Sequence, residues 1–464
     1  MISTDTFFLS VVELGKLIKS KQLSPVELTE AYLERARSTG ARLNAYAALT
    51  PELALQQAHA AEAEIKAGKY RGPLHGIPYA AKDLLAVKGY PTQWGARPYA
   101  NQKFDQDATV IKRLEQAGAV LLGKAAMIEL AGGMGYRFAS ASISGAAKNP
   151  WNEGCWTCGS SSGSGAIVSS GLAAFAIGTE TWGSIVCPSS FTGISGLRPT
   201  YGRVSRHGAM ALAYSMDKIG PMARAAEDCG LILAAIAGHD PDDRASLPAE
   251  QARFEYPQGS DKPLRIGWLE QKMLVPGGEQ VIKDAVAVVK KSAGAFSDAK
   301  LPEGPWEAAA GIVVSVEGAA AFDSLIESGK VADLTDPSGK IGGYVNKEIP
   351  SGDFLRTQRI RGVLKDKMQQ MFANYDLLAS ATLPVTASKL EENLEEGLSF
   401  PDPMGGIGNF LGLPAISVPC GFAENKMPLG LQFVAAPLNE QLVLHAATAF
   451  QSQTDWHKKR PPVS

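Results

Sequence analysis

Residues 158–165 read CGSSSGSG, at the start of the segment GSSSGSGAIVSSGLAAFAIGTETWGSIVCPSSFTGISGLRPT (159–200). By composition these eight residues are typical of a flexible linker, because Gly and Ser bury little apolar area and hold no fixed backbone geometry. Catalytic interpretations compete with the linker, and they assign the chemistry to different serines. Other segments of the chain are needed to distinguish the linker from the catalytic interpretations.

The chain around this segment predicts an α/β protein. From residue 72 onward, short apolar runs such as GIPYAAKD (76–83) and FAIGTE (175–180) alternate with Gly-rich turns and helical segments. This alternation is typical of a largely buried sheet between helices. Capping-box spacing at Ser10–Glu13 and at Ser24–Glu27 predicts two N-terminal helices, and further helices are expected at 51–66 and about 439–454.

Composition limits the class of protein. The 464 residues are 45% hydrophobic and 20% charged, and the formal net charge is −2. This is ordinary globular usage, and it argues against nucleic acid or an anionic membrane as the main partner. The N-terminus lacks the pattern of a signal peptide, and the stretch AIVSSGLAAFAIG (166–178) is too short and too polar to span a bilayer. We therefore expect a cytoplasmic protein.

The five cysteines form no even framework, so reduced thiols are expected. Cys155 and Cys158 have the C-x-x-C spacing of a redox pair, but they follow a turn rather than a strand, so packing cysteines are the default. GAVLLGK (118–124) has the spacing of a phosphate-binding loop. However, Ala125 stands where a magnesium-binding hydroxyl belongs, so Lys124 is expected to be structural or to support the site from behind.

Gly159–Gly163 also matches G-x-S-x-G, which would make Ser161 the nucleophile of an α/β-hydrolase. That fold needs an apolar strand leading into the serine, and the preceding WNEGCWTC is not one. It also needs a later acid and histidine. His445 and His457 are available, but the apolar helical pattern around His445 predicts that it is packed.

The segment 159–200 resembles the amidase signature family, and the resemblance extends well beyond it. GPLHGIPYAAKD (72–83) is similar to the family's lysine-bearing strand. YGRVSRHGAM (201–210), AIAGHDP (235–241), LGLPAISVPCGF (411–422) and DWHKKRP (455–461) follow the family's pattern in the same order. The resemblance implies a domain with a central mixed β-sheet of many strands, covered by helices on both faces.

The resemblance also implies a triad of Lys82, Ser160 and Ser184. Ser184, in TETWGSI, matches the nucleophile, Lys82 the general base, and Ser160 a bridging serine whose preceding peptide bond is cis in the family. Free lysine has a pKa of about 10.4, so base chemistry near neutral pH requires burial in apolar surroundings. Ser161 and Gly159 are then supporting residues, and Arg198 is expected to be a structural cation.

The oxyanion is expected to bind backbone N–H groups from Thr181 to Ser184, through Trp182 and Gly183. Trp182 occupies a place where the family commonly has a small residue, and its indole is one candidate wall of the substrate pocket. The pocket is also predicted to include residues from two further segments: Met134, Gly405, Gly406 and Ile407. Residues 339–354 and 403–410 are predicted to be Gly-rich loops that line or cap it.

We expect a single domain over residues 1–464. It divides into N-terminal helices (1–70), a core with the triad (72–240), a variable elaboration around the pocket (241–400), and C-terminal strands and a helix that complete the core (401–464). The pattern implies no metal and no cofactor. A monomer or a homodimer is expected.

The resemblance predicts a serine amidohydrolase for a small, fairly apolar amide, with possible extension to esters, anilides or carbamates. Three alternatives stay open. YGRVSR and AIAGHDP are similar to the glutamine-hydrolysing A subunits of tRNA-dependent amidotransferases. Asp402 matches the aspartate of those proteins, but residues 345–353 show no equivalent of their arginine. The other two alternatives are an α/β-hydrolase with Ser161 as nucleophile and a non-catalytic interaction protein.

Overall fold

The apolar runs predicted to be strands lie side by side in one large sheet. The computed structural model describes residues 2–257 and 263–462. Within them the strands are β1 (Tyr46–Leu49), β2 (Pro78–Lys82), β3 (Val120–Ala125), β4 (Lys148–Asn149), β5 (Asn152–Trp156), β6 (Phe175–Glu180), β7 (Ser195–Arg198), β8 (Lys218–Ala223), β9 (Arg265–Trp268), β10 (Ala295–Asp298), β11 (Leu377–Ala381), β12 (Ala415–Phe422) and β13 (Pro428–Val434).

The helices of the described residues surround this sheet. They are α1 (Val11–Lys19), α2 (Pro25–Arg35), α3 (Pro51–Lys66), α4 (Thr109–Gln116), α5 (Ser162–Ser169), α6 (Val186–Thr192), α7 (Ala226–Ile236), α8 (Ala249–Ala252), α9 (Gly278–Ser292), α10 (Trp306–Ala321), α11 (Asp323–Glu327), α12 (Pro337–Lys347), α13 (Ser351–Asn374), α14 (Leu394–Gly397), α15 (Pro403–Phe410) and α16 (Glu440–Ser452). In the ranges described, none of them combines the length and apolar character needed to cross a membrane.

The sheet is mixed, as predicted. Its strand order is β1-β3-β2-β6-β8-β7-β12-β13-β11-β9-β10, and β4 and β5 form a separate hairpin. β2 pairs in parallel with β3 and β6, whereas β8 pairs antiparallel with β6 and β7. Every residue of β2, β3 and β6 is buried, which requires cover on both faces of the sheet. The expected α/β architecture is therefore confirmed.

The N-terminal helices begin where the sequence predicts. Ser10 Oγ accepts a hydrogen bond from Glu13 N, and Glu13 Oε2 accepts one from Ser10 N, which completes the capping box. Ser24 Oγ caps α2 in a similar way, and α3 has the predicted bounds. The same region also supplies β1, an edge strand that pairs with β3 and was not predicted.

The middle segment differs from the expectation of loops. Residues 339–354, predicted to line or cap the pocket, belong largely to α12 and α13. Their glycines suggested a mobile loop, but Asp336 caps α12 by accepting from Ser338 N, with Pro337 in its first turn. The segment also adds β9, β10 and β11 to one end of the sheet. Residues 258–262 lie outside the described residues.

The expectation of reduced thiols is wrong for two of the five cysteines. Cys158 and Cys187 are joined in a disulfide, whereas Cys155, Cys229 and Cys420 are free and buried. Cys158 directly precedes the Gly159–Ser160 loop, and Cys187 lies in the first turn of α6. The partners are 29 residues apart, and the fold alone brings them together, so their spacing carries no local signal. The C-x-x-C pair is not a disulfide.

Lys124 is a structural residue of β3. Its Nζ lies 3.0 Å from Asp83 Oδ1 and donates to Thr92 Oγ1 at 2.9 Å. Both charged side chains are almost fully buried. The segment 118–124 thus contains a strand with a buried ion pair, rather than a loop that binds phosphate.

Candidate active site

The site lies where β2 and β6 end. These two strands are parallel neighbours, with Ala81 opposite Ile177, so their carboxyl ends meet at one edge of the sheet. Lys82 is the last residue of β2, and Thr179 and Glu180 are the last two of β6. Loops that follow such strand ends are where α/β folds place functional groups.

Three side chains form a continuous hydrogen-bonded chain at this edge. Lys82 Nζ donates to Ser160 Oγ at 2.7 Å, and Ser160 Oγ lies 3.0 Å from Ser184 Oγ. Lys82 Nζ also donates to Ser161 Oγ at 3.0 Å and to Thr179 Oγ1 at 2.9 Å. The residues predicted as base, bridge and nucleophile are therefore brought together by the fold, and Ser161 contacts Lys82 rather than Ser184.

Lys82 lies in a buried position that disfavours the charged form of its side chain. Burial lowers the pKa of Lys82 from 10.5 to about 7, although the negative charges of Asp217 and Glu180 work in the opposite direction. Lys82 has no solvent-exposed surface. A pKa of about 7 leaves about half of the side chain neutral at neutral pH, so Lys82 is able to accept a proton there.

The helix α5, which follows Ser160 and Ser161, packs closely against the backbone at Ala45 and Ala126. A side chain at Gly163 would place its Cβ 2.3 Å from Ala45 O and 2.5 Å from Ala126 N, so only glycine fits. Gly163 N donates to Ala126 O at 2.8 Å. The peptide bond between Gly159 and Ser160 is cis. The Gly/Ser-rich stretch is thus a tightly packed loop and helix start, not a linker.

The turn before Ser184 presents free backbone donors. Within the described residues, the N–H groups of Trp182, Gly183 and Ser184 have no hydrogen-bond acceptor. Gly183 has a φ of +78°, a left-handed conformation that favours glycine. Thr181 Oγ1 donates to Asp217 Oδ1 at 2.6 Å, which anchors the start of the turn. This arrangement is able to bind an oxyanion.

A buried carboxylate holds the helix that follows the nucleophile. Glu180 Oε2 accepts from the N–H groups of Ile185 and Val186 at 2.9 and 3.0 Å. Its Oε1 accepts from Arg198 Nη1 at 2.6 Å and from Asn409 Nδ2 at 2.9 Å. Burial alone would raise the pKa of Glu180, but the charges of Arg198 and Lys218 outweigh it and lower that pKa to about 2. Arg198 is therefore a structural cation, as predicted.

A cavity of about 260 Å³ opens beside the turn. Gly159, Trp182, Gly183 and Gly405 all line it, and Trp182 and Gly405 are two of the residues predicted to line the substrate pocket. The wall also contains residues from three other regions of the chain: Tyr136, Glu307, Phe400 and Asp402. Because two of these are carboxylates, the pocket is less apolar than the sequence predicted.

Gly406 lies beneath the wall, since a Cβ there would be 3.2 Å from Trp182 Cζ2. Met134 and Ile407, which were also predicted to line the pocket, lie elsewhere in the core. Ile407 is fully buried, and Met134 packs with its sulfur against Gly343 of α12. Residues 403–410, predicted as a loop, form α15 with Asp402 as the capping residue.

Several residues of the site have no motif of their own. Thr179 accepts a hydrogen bond from Lys82, and Asp217 accepts one from Thr181 in the turn. Single polar residues at strand ends are common, so neither residue could be recognised from the sequence alone. Glu307 follows Trp306 at the start of the alanine-rich α10, more than 100 residues after the nucleophile. Glu180 is different, because it lies only four residues before Ser184 and its contact with the start of α6 is local in the sequence.

The geometry does not support Ser161 as a nucleophile. Ser161 Oγ donates to Thr179 O at 3.1 Å and accepts from Lys82, and no histidine in the described residues hydrogen-bonds to it. His445 is exposed on α16, so the prediction that it is packed is wrong. Its neighbours in the helix are buried, and the apolar pattern of those neighbours misled the prediction.

Comparison with known proteins agrees with this geometry. The model of the amidase family matches residues 27–444. The chain belongs to the amidase family. It is 36% identical to the A subunit of glutamyl-tRNA(Gln) amidotransferase from Cupriavidus taiwanensis, over 97% of this chain and 98% of that protein.

Two solved structures have the same overall fold. The peptide amidase from Stenotrophomonas maltophilia matches with a TM-score of 0.84 and 28% identity, over 98% of each chain. The second structure comes from work on a vestigial protein complex that reveals the evolutionary origins of an s-triazine catabolic enzyme. It matches with a TM-score of 0.86 and 29% identity, over 96% of this chain and 98% of that one. The match to the amidase family and the similarity to the peptide amidase support a hydrolase that acts on carbon–nitrogen bonds.

Proposed function

We propose that this protein is a serine amidohydrolase that cleaves small amides through an acyl-enzyme on Ser184. The observation that carries the proposal is the unbroken chain from Lys82 Nζ through Ser160 Oγ to Ser184 Oγ, with separations of 2.7 and 3.0 Å. These are distances across which protons transfer between catalytic groups. The neutral lysine is the base, and Ser160 relays the proton.

In the first half-reaction, Lys82 accepts the proton of Ser160 while Ser160 accepts that of Ser184. Ser184 Oγ then forms a bond to the substrate carbonyl carbon. The free N–H groups of the turn at residues 182–184 bind the resulting oxyanion. Removing one donor of this kind typically costs a factor of about 10² to 10³ in kcat.

The same relay runs in reverse to break the C–N bond. The protonated Lys82 returns its proton through Ser160 to the leaving nitrogen, which departs as an amine or as ammonia. Water then attacks the acyl-enzyme with Lys82 again as base, and the acid product leaves. Amides need this protonation of the leaving group more than esters do.

The substrate range of the proposal includes amides, anilides, carbamates and esters, because each presents a carbonyl to the same nucleophile. We propose that the enzyme acts alone, as a monomer or homodimer in the cytoplasm, on a small molecule. The 260 Å³ cavity supports a small substrate, since it lies near the lower end of the usual size of ligand pockets.

Glutamine hydrolysis within an amidotransferase complex is the second candidate. Its support is the 36% identity to the glutamyl-tRNA(Gln) amidotransferase protein. The cavity argues against it, because glutamine has an α-carboxylate and no Lys or Arg of the described residues lines the cavity. Release of ammonia from glutamine by the purified protein would favour this second candidate.

The main proposal is tested by labelling and by activity. A fluorophosphonate is expected to modify Ser184 in the wild-type protein and in Ser161→Ala, but not in Ser184→Ala. A screen over amides, anilides, carbamates and glutamine is expected to find activity that Ser184→Ala abolishes. Activity that survives in Ser184→Ala but is lost in Ser161→Ala would overturn the triad and favour the α/β-hydrolase interpretation.

A further inference from the structure

The charged residues of the active-site cavity all have the same sign. Among the described residues that line it, Glu307 and Asp402 are the only charged ones. By contrast, the buried carboxylate of Glu180, which does not line this cavity, is paired with Arg198. A half-buried carboxylate pair without a cation favours a ligand that brings its own positive charge.

The two carboxylates differ in how many of their oxygens are already used. Asp402 Oδ2 accepts from Trp182 Nε1 at 3.0 Å, and Oδ1 accepts from Gly405 N at 3.0 Å. Asp402 thus holds the indole and caps α15. Both of its oxygens are engaged before any substrate arrives.

The two carboxylate oxygens of Glu307 differ in their hydrogen bonds. Its Oε1 accepts from Asp402 N at 2.8 Å, and within the described residues its Oε2 has no hydrogen-bond partner. The side chain cannot move far, because α15 packs against it: a Cβ on Gly406 would lie 2.8 Å from Glu307 Cγ. Oε1 is therefore bound at the start of α15, and Glu307 is one of the residues that line the cavity.

We propose that Glu307 is a specificity-determining residue that binds a protonated amine on the substrate through Oε2. The preferred substrates are then small amides or carbamates that carry a primary ammonium and no carboxylate. The inference rests on the proposed function, because it assigns this cavity to the substrate of Ser184. The rings of Tyr136, Trp182 and Phe400, which line the same cavity, suit a cationic group on an alkyl or aryl stem.

The test compares substrates that differ only in charge. 4-Aminobutyranilide and pentananilide have chains of equal length, ending in an ammonium and in a methyl group respectively. A second pair, N-(2-aminoethyl)benzamide and N-propylbenzamide, carries the amine on the leaving side. Wild-type protein is expected to prefer the cationic member of at least one pair in kcat/KM.

Glu307→Gln keeps the shape of the side chain and removes its charge. We expect the cationic-to-neutral ratio of kcat/KM to fall about tenfold, mainly through KM, as is typical of a lost hydrogen bond between charged groups. Glu307→Lys is expected to reverse the preference toward succinanilate, the carboxylate isostere. Glu303→Gln is the matched control, because Glu303 is exposed on the same segment and does not line the cavity.

An unchanged ratio in Glu307→Gln for both pairs would overturn the inference, as would equal use of the cationic and neutral members by wild-type protein. The proposed function fails by a different observation, namely the absence of fluorophosphonate labelling at Ser184. Thermal unfolding and the stoichiometry of that label in Glu307→Gln and Glu307→Lys separate a loss of selectivity from a loss of folded protein.

Discussion

The indole Nε1 of Trp182 donates a hydrogen bond to Asp402 Oδ2 across 3.0 Å, and this bond joins the turn before Ser184 to the N-cap of α15. The two residues are 220 positions apart in the chain. Burial raises the pKa of Asp402 to about 6, and the bond from Trp182 works against that rise. One side of the cavity beside this turn is therefore an indole ring that is hydrogen-bonded to a carboxylate.

Replacement of Trp182 is expected to change substrate preference. Trp182→Gly removes a flat wall from the cavity, so the kcat/KM ratio of an anilide to an aliphatic amide of similar size should fall. Aromatic pairs contribute about 0.5–1.5 kcal/mol beyond area burial, which corresponds to a factor of about two to ten. Trp182→Phe retains a ring and should keep most of the ratio. Equal ratios in wild type and Trp182→Gly would contradict this role.

The pH profile of the reaction is expected to report Lys82. Because burial lowers the pKa of Lys82 to about 7 and only the neutral amine acts as base, kcat/KM should rise with pH, reach half its maximum near pH 7 and then level off. Lys82→Arg keeps a positive charge at all these pH values and should lose a factor of about 10² or more. A flat wild-type profile across neutral pH would exclude Lys82 as the titrating base.

The same lysine should affect stability in a pH-dependent way. Its pKa is about 7 when folded and near 10.5 when unfolded, so between these values the unfolded chain binds more protons. The contribution of Lys82 to the free energy of unfolding therefore rises with pH in this window, by about 1.4 kcal/mol per unit. Lys82→Met lacks this term. The free energy of unfolding, measured by urea unfolding at several pH values, should be higher for Lys82→Met than for wild type, and this difference should become smaller as the pH rises.

Loss of the charge on Glu180 should be severe. Glu180→Gln leaves Arg198 buried without its counter-charge, and breaking a buried pair in this way costs about 3–5 kcal/mol. Glu180→Gln/Arg198→Met removes both charges and should recover part of the stability in chemical denaturation. Equal stability of the single and double variants would show that the pair is not the main contribution.

We expect the disulfide to be detectable from the number of reactive thiols and to stabilise the folded protein. Denatured, unreduced protein should react with three equivalents of a thiol reagent, and reduced protein with five. By the loop-entropy model, a 29-residue separation corresponds to about 3.5 kcal/mol, so Cys158→Ser/Cys187→Ser should unfold at lower denaturant concentration. Five equivalents without reductant would show that the bond does not form.

The proximity of Lys82, Ser160 and Ser184 was predictable because each lies in a segment with a local sequence pattern. The strand ending at Lys82 and the Gly/Ser loop before α5 each have a recognisable pattern of a few residues. The wall of the cavity had no such pattern, since Glu307 and Trp182 meet only through long-range packing against α15. For the same reason the pairing of Cys158 with Cys187 could not be derived from sequence. Glycines misled the prediction at α12, where a cap and a proline outweighed them.

The bonds of Glu180 have a practical consequence for redesign. The groups proposed to perform the chemistry come from residues 82–184, whereas much of the wall comes from residues 307 and 398–405. Asn409 spans the two sets, because its Nδ2 donates both to Glu180 Oε1 and to Gly405 O. A mutant library aimed at new substrates should therefore keep Asn409 constant, together with Asp402 and Gly405, and vary the other positions of the second set. Variation at Asn409 itself would disturb the nucleophile's helix together with the pocket.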